Sequence, residues 1–404
     1  MAAISLGATI ETAVLIGEPS LASATPEWST VQVIDQANAA TVAAISCPTA
    51  SFCMAVDEEG NAMTWNGASW SSPSLVDSQP NAPVFRSVSC TGPTFCMAVD
   101  AWGYAVAFDG SSWSAPVLAR TPDRPGSGLT AVSCSSSDFC LAVGGQDSLA
   151  YNGASWSAPA MIDPGSGFTP TSVSCPTSTF CAAVDEGGSA AKFNGSTWST
   201  STLIDPGNIL NAVSCPSAGF CLAADDTGKV VTLKGTSWAT PYYPDSVQGY
   251  PMETISCPTS DFCDVADLDG YVHTLAGGSS WSVTQLVNSS NPAGISCASS
   301  DFCVLANHDA LGYLYQGVAL SITATTLPSG AVHSHYSAAI AVVGGSPPYH
   351  FTTMAKLPKG LHLSSLGVVS GTPSHTGTFS FKVKATDRSR PRQATQSMIS
   401  ITIG

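Results

Sequence analysis

The chain has 404 residues, of which 44% are hydrophobic and only 10% are charged, a composition typical of a folded protein rather than a disordered one. The formal net charge is −15 and it is divided unevenly: residues 1–320 carry 6 Lys+Arg against 27 Asp+Glu, whereas residues 321–404 carry 7 against 1. Because so acidic a body repels phosphate backbones, nucleic acid is excluded as an expected partner.

The N-terminal segment has some features of a secretory leader. Residues 4–17 are mildly apolar, and Leu21-Ala22-Ser23-Ala24 is similar to a signal-cleavage site. No basic region precedes this stretch and Glu11 interrupts it, so residues 1–27 are interpreted as a leader or an N-terminal extension. The chain contains no run of 18 apolar residues, and no membrane span is predicted.

All 14 cysteines occur in seven Cys-x5-Cys pairs whose first members are 40 to 44 residues apart. No Cys-x2-Cys spacing accompanies them, so disulfides are favoured over zinc ligation. Disulfides persist in oxidising compartments, which predicts a secreted, extracellular or cell-surface protein. The pairs are Cys47 with Cys53, Cys90 with Cys96, Cys134 with Cys140, Cys175 with Cys181, Cys215 with Cys221, Cys257 with Cys263, and Cys297 with Cys303.

Each repeat is predicted to form four antiparallel strands. In the copy spanning residues 171–205, two β-branched or apolar stretches flank the turn between Cys175 and Cys181. Asp185-Glu186-Gly187-Gly188 and Asn194-Gly195 are hairpin turns that separate the second, third and fourth strands. A period of about 42 residues with four strands is typical of a β-propeller blade.

The last copy is incomplete, because no Trp-containing fourth strand follows Gly317. Residues 28–35 match residues 198–205 and precede the first complete copy, so they supply the missing strand. The sequence therefore predicts an all-β fold in which a seven-bladed β-propeller over residues 28–319 is closed by its N-terminal strand. Six or eight blades and a linear solenoid are the alternatives.

Two resemblances extend this interpretation. The Ser-Cys-Pro, Phe-Cys and Gly-x-x-Trp residues of the repeats resemble disulfide-stapled propeller repeats of secreted actinobacterial proteins, whereas the Gly-His and Trp-Asp pairs of WD40 repeats are missing. Residues 320–404 resemble the immunoglobulin-like domain of bacterial surface proteins. The motifs that carry this second resemblance are Gly344-Gly345-Ser346-Pro347-Pro348-Tyr349, Leu357-Pro358-Lys359-Gly360-Leu361, Gly371-Thr372-Pro373 and Ala385-Thr386-Asp387. It implies a small β-sandwich that acts as a spacer or adhesive module.

No standard catalytic motif occurs, and no cofactor or metal is expected. An Asp recurs in the second hairpin turn of five copies, where a ring of carboxylates binding Ca²⁺ and a role in the turns are the two interpretations. The turn role is favoured because each Asp precedes a Gly by three residues. The repeated Trp positions are interpreted as packing between strands. The residues concerned are Asp57, Asp100, Asp185, Asp225 and Asp267, and Trp70, Trp113, Trp156, Trp198, Trp238 and Trp281.

One copy departs from the repeat at two positions that are apolar in most of the others. Asp264 follows the second cysteine of that copy, and His273 lies in its third strand. Counting from the turn places them opposite each other, so they form a candidate acid/base pair; a mutually satisfied buried pair without chemistry is the alternative.

A second candidate site lies where the first strands line the central channel. Arg86 and Glu253 stand out at a position that is otherwise small or neutral, and they complete the candidate catalytic set with Asp264 and His273. Loops 120–128 and 242–250 are expected on the same face, whereas the disulfides are expected on the opposite face. Aromatic and polar side chains at the channel mouth suit carbohydrate. The candidate ligand-binding residues are Trp102, Tyr104, Arg120, Asn211, Tyr250 and Tyr271.

Three functions follow as hypotheses. The first is a secreted or cell-surface recognition or adhesion protein whose propeller face binds a glycan or a protein. The second is a glycan-active hydrolase or lyase with its site at the channel mouth. The third is a structural surface or filament component. The sequence favours the first, with carbohydrate or a cell-surface protein as the partner.

Overall fold

The computed structural model describes residues 27–28, 32–35, 41–79, 84–122, 128–246, 249–286, 291–317, 320–345, 348–387 and 393–404. The predicted leader lies almost entirely outside these residues, as do parts of the loops 120–128 and 242–250. All regular structure in the described residues is β-strand, and no helix there is long and apolar enough to cross a membrane.

Seven antiparallel sheets follow the seven cysteine pairs, and they are numbered here as blades in the order of those pairs. Two short N-terminal strands come first: β1 (Glu27–Trp28) and β2 (Gln32–Val33). Blade 1 contains β3 (Val42–Thr49), β4 (Phe52–Asp57), β5 (Asn61–Trp65) and β6 (Ser74–Leu75). Blade 2 contains β7 (Phe85–Gly92), β8 (Phe95–Asp100), β9 (Tyr104–Phe108) and β10 (Val117–Leu118). Blade 3 contains β11 (Ala131–Ser136), β12 (Phe139–Gly144), β13 (Asp147–Tyr151) and β14 (Ala160–Met161).

The remaining blades have the same order of strands. Blade 4 contains β15 (Pro170–Thr177), β16 (Phe180–Asp185), β17 (Ser189–Phe193) and β18 (Thr202–Leu203). Blade 5 contains β19 (Leu210–Ser217), β20 (Phe220–Asp225), β21 (Val230–Lys234) and β22 (Ser237–Trp238). Blade 6 contains β23 (Met252–Thr259), β24 (Phe262–Asp267), β25 (Tyr271–Ala276) and β26 (Ser280–Gln285). Blade 7 contains β27 (Pro292–Ser299), β28 (Phe302–Asn307) and β29 (Leu311–Gln316), and its outer position is taken by β1 and β2.

The N-terminal strands pair with blade 7 as the fourth strands of other blades pair with their own third strands. Trp28 is the register partner of Tyr315, and Gln32 is that of Gly312. The rings of Trp28 and Tyr315 lie 5.5 Å apart at 51°, as the rings of Phe193 and Trp198 do in blade 4 at 5.4 Å and 50°. Residues separated by almost the whole propeller therefore share one sheet.

Each predicted cysteine pair forms a disulfide across the turn between the first and second strands, and no cysteine is free in the described residues, which include all 14. The second strand is buried on both faces because it lies between neighbouring blades, and this explains its continuous apolar sequence. In the chain-entropy account a loop this short contributes about 2 kcal/mol per disulfide to stability.

The second cysteine of each pair is buried. The sequence predicts only the end of the propeller at which the disulfides lie, and the structure adds that these seven cysteines are 0% exposed and belong to the apolar cores between blades. The reason is that each lies at the second position of a second strand, which is covered by its neighbours on both sides. They are therefore core residues that stabilise the packing between blades. The residues are Cys53, Cys96, Cys140, Cys181, Cys221, Cys263 and Cys303.

The Ser that precedes each first cysteine connects adjacent blades. Its hydroxyl oxygen accepts a hydrogen bond of 2.8 to 3.0 Å from the backbone N–H of the corresponding cysteine in the next blade. Ser46 accepts from Cys90 in this way, and Ser296 of blade 7 accepts from Cys47 of blade 1. The seven bonds therefore continue from the last blade to the first, and the repeated Ser has a structural role between blades.

The C-terminal domain is built from eight strands. These are β30 (Ser321–Ile322), β31 (Tyr336–Ala339), β32 (Val342–Val343), β33 (His350–Thr353), β34 (Leu361–Leu363), β35 (Val368–Gly371), β36 (Gly377–Thr386) and β37 (Ala394–Ile403). Two three-stranded sheets, β31-β35-β34 and β33-β36-β37, enclose an apolar core that includes Val369, Phe381 and Ile401. Gln393 of this domain donates through Nε2 to Asp301 Oδ2 of blade 7 at 3.1 Å, so a polar contact joins the domain to the propeller.

Candidate functional site at the channel mouth

The recurring Asp of the second hairpin turn organises that turn. In blade 2, Asp100 Oδ1 accepts from the backbone N–H groups of Trp102 at 3.0 Å and Tyr104 at 2.7 Å. The same two bonds, to the residues two and four positions on, are made by Asp57, Asp185, Asp225 and Asp267. The carboxylates therefore hold the turns in shape, as the sequence predicts.

These turns and the loops between blades lie at one end of the propeller, because the disulfide turns lie at the other end of the first two strands. The first strands line the centre, where each contacts the first strands of its two neighbours. A β-bulge interrupts their pairing four residues before the first cysteine, for example at Arg86 between Phe85 and Ser87. Bulges re-aim side chains, so the residues there are presented at the channel mouth. The bulge residues are Ala43, Arg86, Thr171, Asn211, Glu253 and Ala293.

Arg86 and Glu253 are the charged members of this bulge set. Arg86 is exposed and its Nη1 lies 3.9 Å from Glu58 Oε1 on the turn of blade 1. Glu253 is half-buried, and this burial raises the pKa of its carboxyl group while the neighbouring His308 opposes the effect. Asn211 donates from Nδ2 to the carbonyl oxygen of Met252 at 3.1 Å, which ties blade 5 to blade 6.

Three exposed tyrosines lie on the loop that connects blade 5 to blade 6, called here the tyrosine loop (residues 242–246 and 249–250), and this loop leads into the strand that carries Glu253. Tyr242 and Tyr243 are 38% exposed and Tyr250 is 37% exposed, and the Tyr250 ring stacks on Tyr271 with centroids 5.9 Å apart. The Lys229 ammonium lies over the Tyr243 ring at 5.5 Å from its centroid. The structure therefore brings Tyr250 and Tyr271 together at blade 6, and it shows that Tyr242 and Tyr243 of the same loop are also exposed.

The buried side chain of His273 connects the tyrosine loop to the second hairpin turn of blade 6. Its Nδ1 lies 2.7 Å from Asp245 Oδ2 on the loop and its Nε2 lies 3.2 Å from Asp267 Oδ2 in the turn. Burial lowers the pKa of the imidazole, but the hydrogen bonds and charges of both carboxylates outweigh it and hold the pKa above its usual range. His273 is therefore a buried bridge, 1% exposed, between two carboxylates that favour its charged form.

The predicted pair of Asp264 and His273 is wrong. The register pairs Asp264 with Thr274 and Val265 with His273, so the two side chains point to opposite faces of the blade. Asp264 Oδ1 instead accepts from the Thr274 hydroxyl at 2.6 Å. Counting from the turn gives a register that is wrong by one residue, and a shift of one residue places a side chain on the opposite face of the sheet.

Asp264 lies against the disulfide of blade 7, with Oδ2 3.6 Å from Cys297 Sγ. The equivalent residues of other blades, such as Leu141 and Leu222, pack on the next disulfide as apolar groups. Burial raises the pKa of Asp264 to about 7, although its bond from Thr274 opposes the rise. Asp264 is 1% exposed, so it does not face a ligand at the mouth.

Arg120 is likewise not presented to a ligand, contrary to its predicted binding role. It is 3% exposed, and its Nε and Nη2 donate to Asp147 Oδ2 of blade 3 at 3.2 and 3.1 Å. Its guanidinium therefore joins two blades. Trp102 and Tyr104 are half-buried on blade 2, the blade of Arg86, whereas the tyrosine loop connects blades 5 and 6. The predicted ligand-binding residues thus form two separate groups.

A groove of about 490 Å³ lies elsewhere, between β2 and the third hairpin turn of blade 1. It is lined by Gln32, Val33, Ala68, Ser69 and Trp70. This groove belongs to the outer strands and contains none of the predicted site residues.

The repeated Trp residues behave as packing residues, as the sequence predicts. Four of the six lie at a tilt against an aromatic ring of the third strand of their own blade, with centroids 5.4 to 5.7 Å apart, whereas Trp238 and Trp281 have Leu233 and Leu275 as register partners. These pairs are Trp65 with Trp70, Phe108 with Trp113, Tyr151 with Trp156, and Phe193 with Trp198.

The fold and this arrangement define a β-propeller protein with an immunoglobulin-like domain. Residues 313–404 match a family described as "Putative Ig domain". No curated protein matches the chain. The predicted all-β fold of propeller sheets followed by an immunoglobulin-like domain is confirmed.

Solved propellers support the architecture. YCF48 bound to D1 peptide is similar with a TM-score of 0.56 and 16% identity, over 72% of this chain and 95% of that one. YCF48 from Cyanidioschyzon merolae has a TM-score of 0.57 and 15% identity, over 71% and 99%. The WD40 propeller domain of Doa1 has a TM-score of 0.57 and 9% identity, over 71% and 97%. At these identities the likeness concerns the fold alone.

Proposed function

We propose that this chain is a secreted or cell-surface recognition protein in which the channel-mouth face of the propeller binds a glycan or a protein, with the immunoglobulin-like domain as a spacer. The observation that carries the proposal is the exposed tyrosine loop that leads into the strand of Glu253. Tyr242, Tyr243 and Tyr250 expose large amphipathic rings on a folded surface. Tyrosine provides contact area at a small cost in conformational entropy and is enriched in binding surfaces.

The loop is held ready for a ligand. His273 bonds Asp245 on the loop and Asp267 in the adjacent turn, and the imidazole between them is buried. Because Asp245 is held in this way, the described part of the loop around it loses little freedom on binding, so more of the contact energy contributes to affinity. The nearby Asn211 and Glu253 supply polar groups that orient a ligand.

Two kinds of ligand have support. Stacked and exposed rings beside amide and carboxylate groups suit carbohydrate, and YCF48, a propeller of similar fold, is described with a bound D1 peptide. The seven disulfides support an oxidising compartment outside the cytosol. A compact domain joined to blade 7 through Gln393 and Asp301 suits a spacer.

A glycan array and a displayed peptide library, both probed with the full chain, test the proposal. We expect binding that falls at least tenfold in Tyr250→Ala and Glu253→Gln, because central aromatic and buried polar contacts dominate such interfaces. Leu118→Ala, on an exposed outer strand, is the matched control and keeps full binding. Binding that survives both mouth variants places the ligand elsewhere and refutes the proposal.

A glycan-active hydrolase or lyase is the second candidate, and the observation that favours it is the raised pKa of Glu253 at the mouth. Such an enzyme depolymerises the glycan that it binds, and Glu253→Gln abolishes turnover. Asp264 and His273 are both 1% exposed, so neither contacts a substrate. Ordered self-assembly without any ligand supports the filament hypothesis instead.

A further inference from the structure

Acidic side chains meet at the junctions between neighbouring blades. One comes from the second hairpin turn, and the other follows the fourth strand of the preceding blade. Burial raises the pKa of Asp100 to about 6, and the charge of Asp77 adds to this rise. Burial likewise raises the pKa of Asp205, to which the neighbouring Asp225 contributes.

These four carboxyl groups are 0 to 2% exposed. Two carboxylates buried together require compensation, because an isolated buried charge costs several kcal/mol or more. The other junctions show what form that compensation takes.

Protein cations compensate the acidic groups at two junctions. Between blades 5 and 6, His273 bridges Asp245 and Asp267. Between blades 2 and 3, Arg120 is paired with Asp147 at 3.1 Å.

At further junctions uncharged groups hydrogen-bond the acidic side chain or replace it. Asn61 Nδ2 donates to Asp57 Oδ2 at 2.7 Å in blade 1, and in blade 7 the turn residue is the uncharged Asn307, whose Oδ1 accepts from the Leu311 N–H at 2.8 Å. Between blades 3 and 4, Asp163 Oδ2 accepts from Ser201 instead.

The junctions of blades 1 with 2 and of blades 4 with 5 lack such compensation. Asp100 Oδ2 and Asp205 Oδ2 are fully buried and accept from no amide or hydroxyl group, and they are the only carboxylate oxygens of this kind in the described parts of the chain. The group within hydrogen-bonding reach of the Asp205 carboxyl is a second carboxyl group, that of Asp225. The other oxygens at the second junction are engaged: Asn208 donates to Asp205 Oδ1, and Thr227 donates to both oxygens of Asp225. Each unpartnered oxygen is thus left beside a second acidic group.

We propose that the Asp77–Asp100 and Asp205–Asp225 junctions each bind a divalent cation, with Ca²⁺ as the ion that fits. The acidic side-chain donors at both junctions are carboxylate oxygens, without imidazole or thiolate, and hard cations prefer such donors. Ca²⁺ also takes backbone carbonyl and water oxygens as ligands, so two carboxyl groups need not supply its whole coordination shell. At these junctions the cation compensates the buried acidic groups, as His273 and Arg120 do at theirs, and it thereby joins neighbouring blades.

Calorimetric titration of CaCl₂ into the full, EDTA-treated and dialysed chain tests the proposal. We expect two saturable sites and a melting temperature that rises with CaCl₂ concentration. Asp77→Asn and Asp205→Asn each remove one site. Absence of both the heat and the melting shift overturns the proposal, and stabilisation of Asp205→Asn in metal-free buffer then identifies a shared proton between the two carboxyls.

Two exchanges provide matched controls. Val231 has the register position in blade 5 that His273 has in blade 6, since Ala223 pairs with Val231 and Val265 pairs with His273. Val231→His is expected to place an imidazole between Asp205 and Asp225 and to remove that Ca²⁺ site, whereas His273→Val is expected to create a third site. Ca²⁺ binding that is unchanged by both aspartate variants places the ion on exposed acidic groups and refutes the proposal.

Discussion

Replacing Asp264 by Leu is expected to stabilise the propeller at neutral and alkaline pH. Leu141 and Leu222 occupy the equivalent position in blades 3 and 5, where they pack on the disulfide of the next blade. Asp264 instead buries a carboxyl group against Cys297, and this burial raises its pKa from 3.8 to about 7. The Leu variant therefore restores a contact that the repeat already accommodates.

The magnitude follows from the pKa of Asp264. Because the raised pKa means that the folded chain binds the proton more tightly, stability falls as the pH rises from about 4 through about 7. At roughly 1.4 kcal/mol for each pKa unit, the wild-type chain loses about 4 kcal/mol over this window. Leu removes that loss but leaves the Thr274 hydroxyl without its acceptor, at about 1 kcal/mol, so the net gain at pH 8 is about 3 kcal/mol.

Urea unfolding with the disulfides intact, measured between pH 4 and pH 8, checks this expectation. The difference in unfolding free energy between the wild-type and Leu chains isolates Asp264, because all other titrating groups are shared. Asp269→Asn, which changes an exposed carboxyl in the same blade, is the control and leaves the pH dependence unchanged. Identical pH dependence in the wild-type and Leu chains would refute the assignment of a buried, protonated Asp264.

Three further outcomes are expected. His273→Gln destabilises the chain by about 3 kcal/mol at pH 6, and the difference shrinks as the pH rises through the raised pKa of the imidazole, which urea unfolding at pH 6 and pH 9 measures. Ser214→Ala leaves the Cys257 N–H unpartnered and costs about 1–3 kcal/mol, so an unchanged melting temperature contradicts a role between blades. Trp28→Ala removes the ring contact with Tyr315 and costs about 3–5 kcal/mol, whereas a chain of wild-type stability shows that the N-terminal strand does not complete blade 7.

Local rules account for most of the fold. The Cys-x5-Cys pairs, the Asp-x2-Gly turns and the Trp positions each act within a few residues, and the structure uses them as disulfides, hairpin turns and blade packing. The Ser before each first cysteine is equally visible as a repeated residue, but the sequence does not show which group its hydroxyl bonds. Its partner lies 41 to 45 residues away in six blades and 249 residues away in the last.

The burial of the second cysteines shows the same limit. Spacing predicts that every second cysteine pairs with the first cysteine across a turn, and all seven do. That they are 0% exposed depends on the strands of adjacent blades, which cover them. The pairing depends on residues close along the chain, whereas the burial depends on contacts between blades.

The candidate site depends on details that spacing does not contain. The direction of a strand determines at which end of the propeller the following loop lies. The sequence therefore assigns Tyr250 and Tyr271 to the same end, and in the structure their rings stack there. Asp245 is missed as the partner of His273, although an acidic residue in an irregular loop between blades is a usable signal. Arg120 is predicted to contact a ligand, and only the folded chain shows that it forms an ion pair with Asp147 of the next blade.

The sequence alone determined the repeat, the strand order and the disulfides, because these arise from contacts between residues close along the chain. Tertiary structure decided which faces the side chains occupy and which blades exchange charges. A shift of one residue in register separated Asp264 from His273, and packing between blades left Asp100 and Asp205 with unpartnered oxygens. The first result depends on the exact register of one hairpin, and the second depends on contacts between blades, whose energies are not encoded in any single repeat.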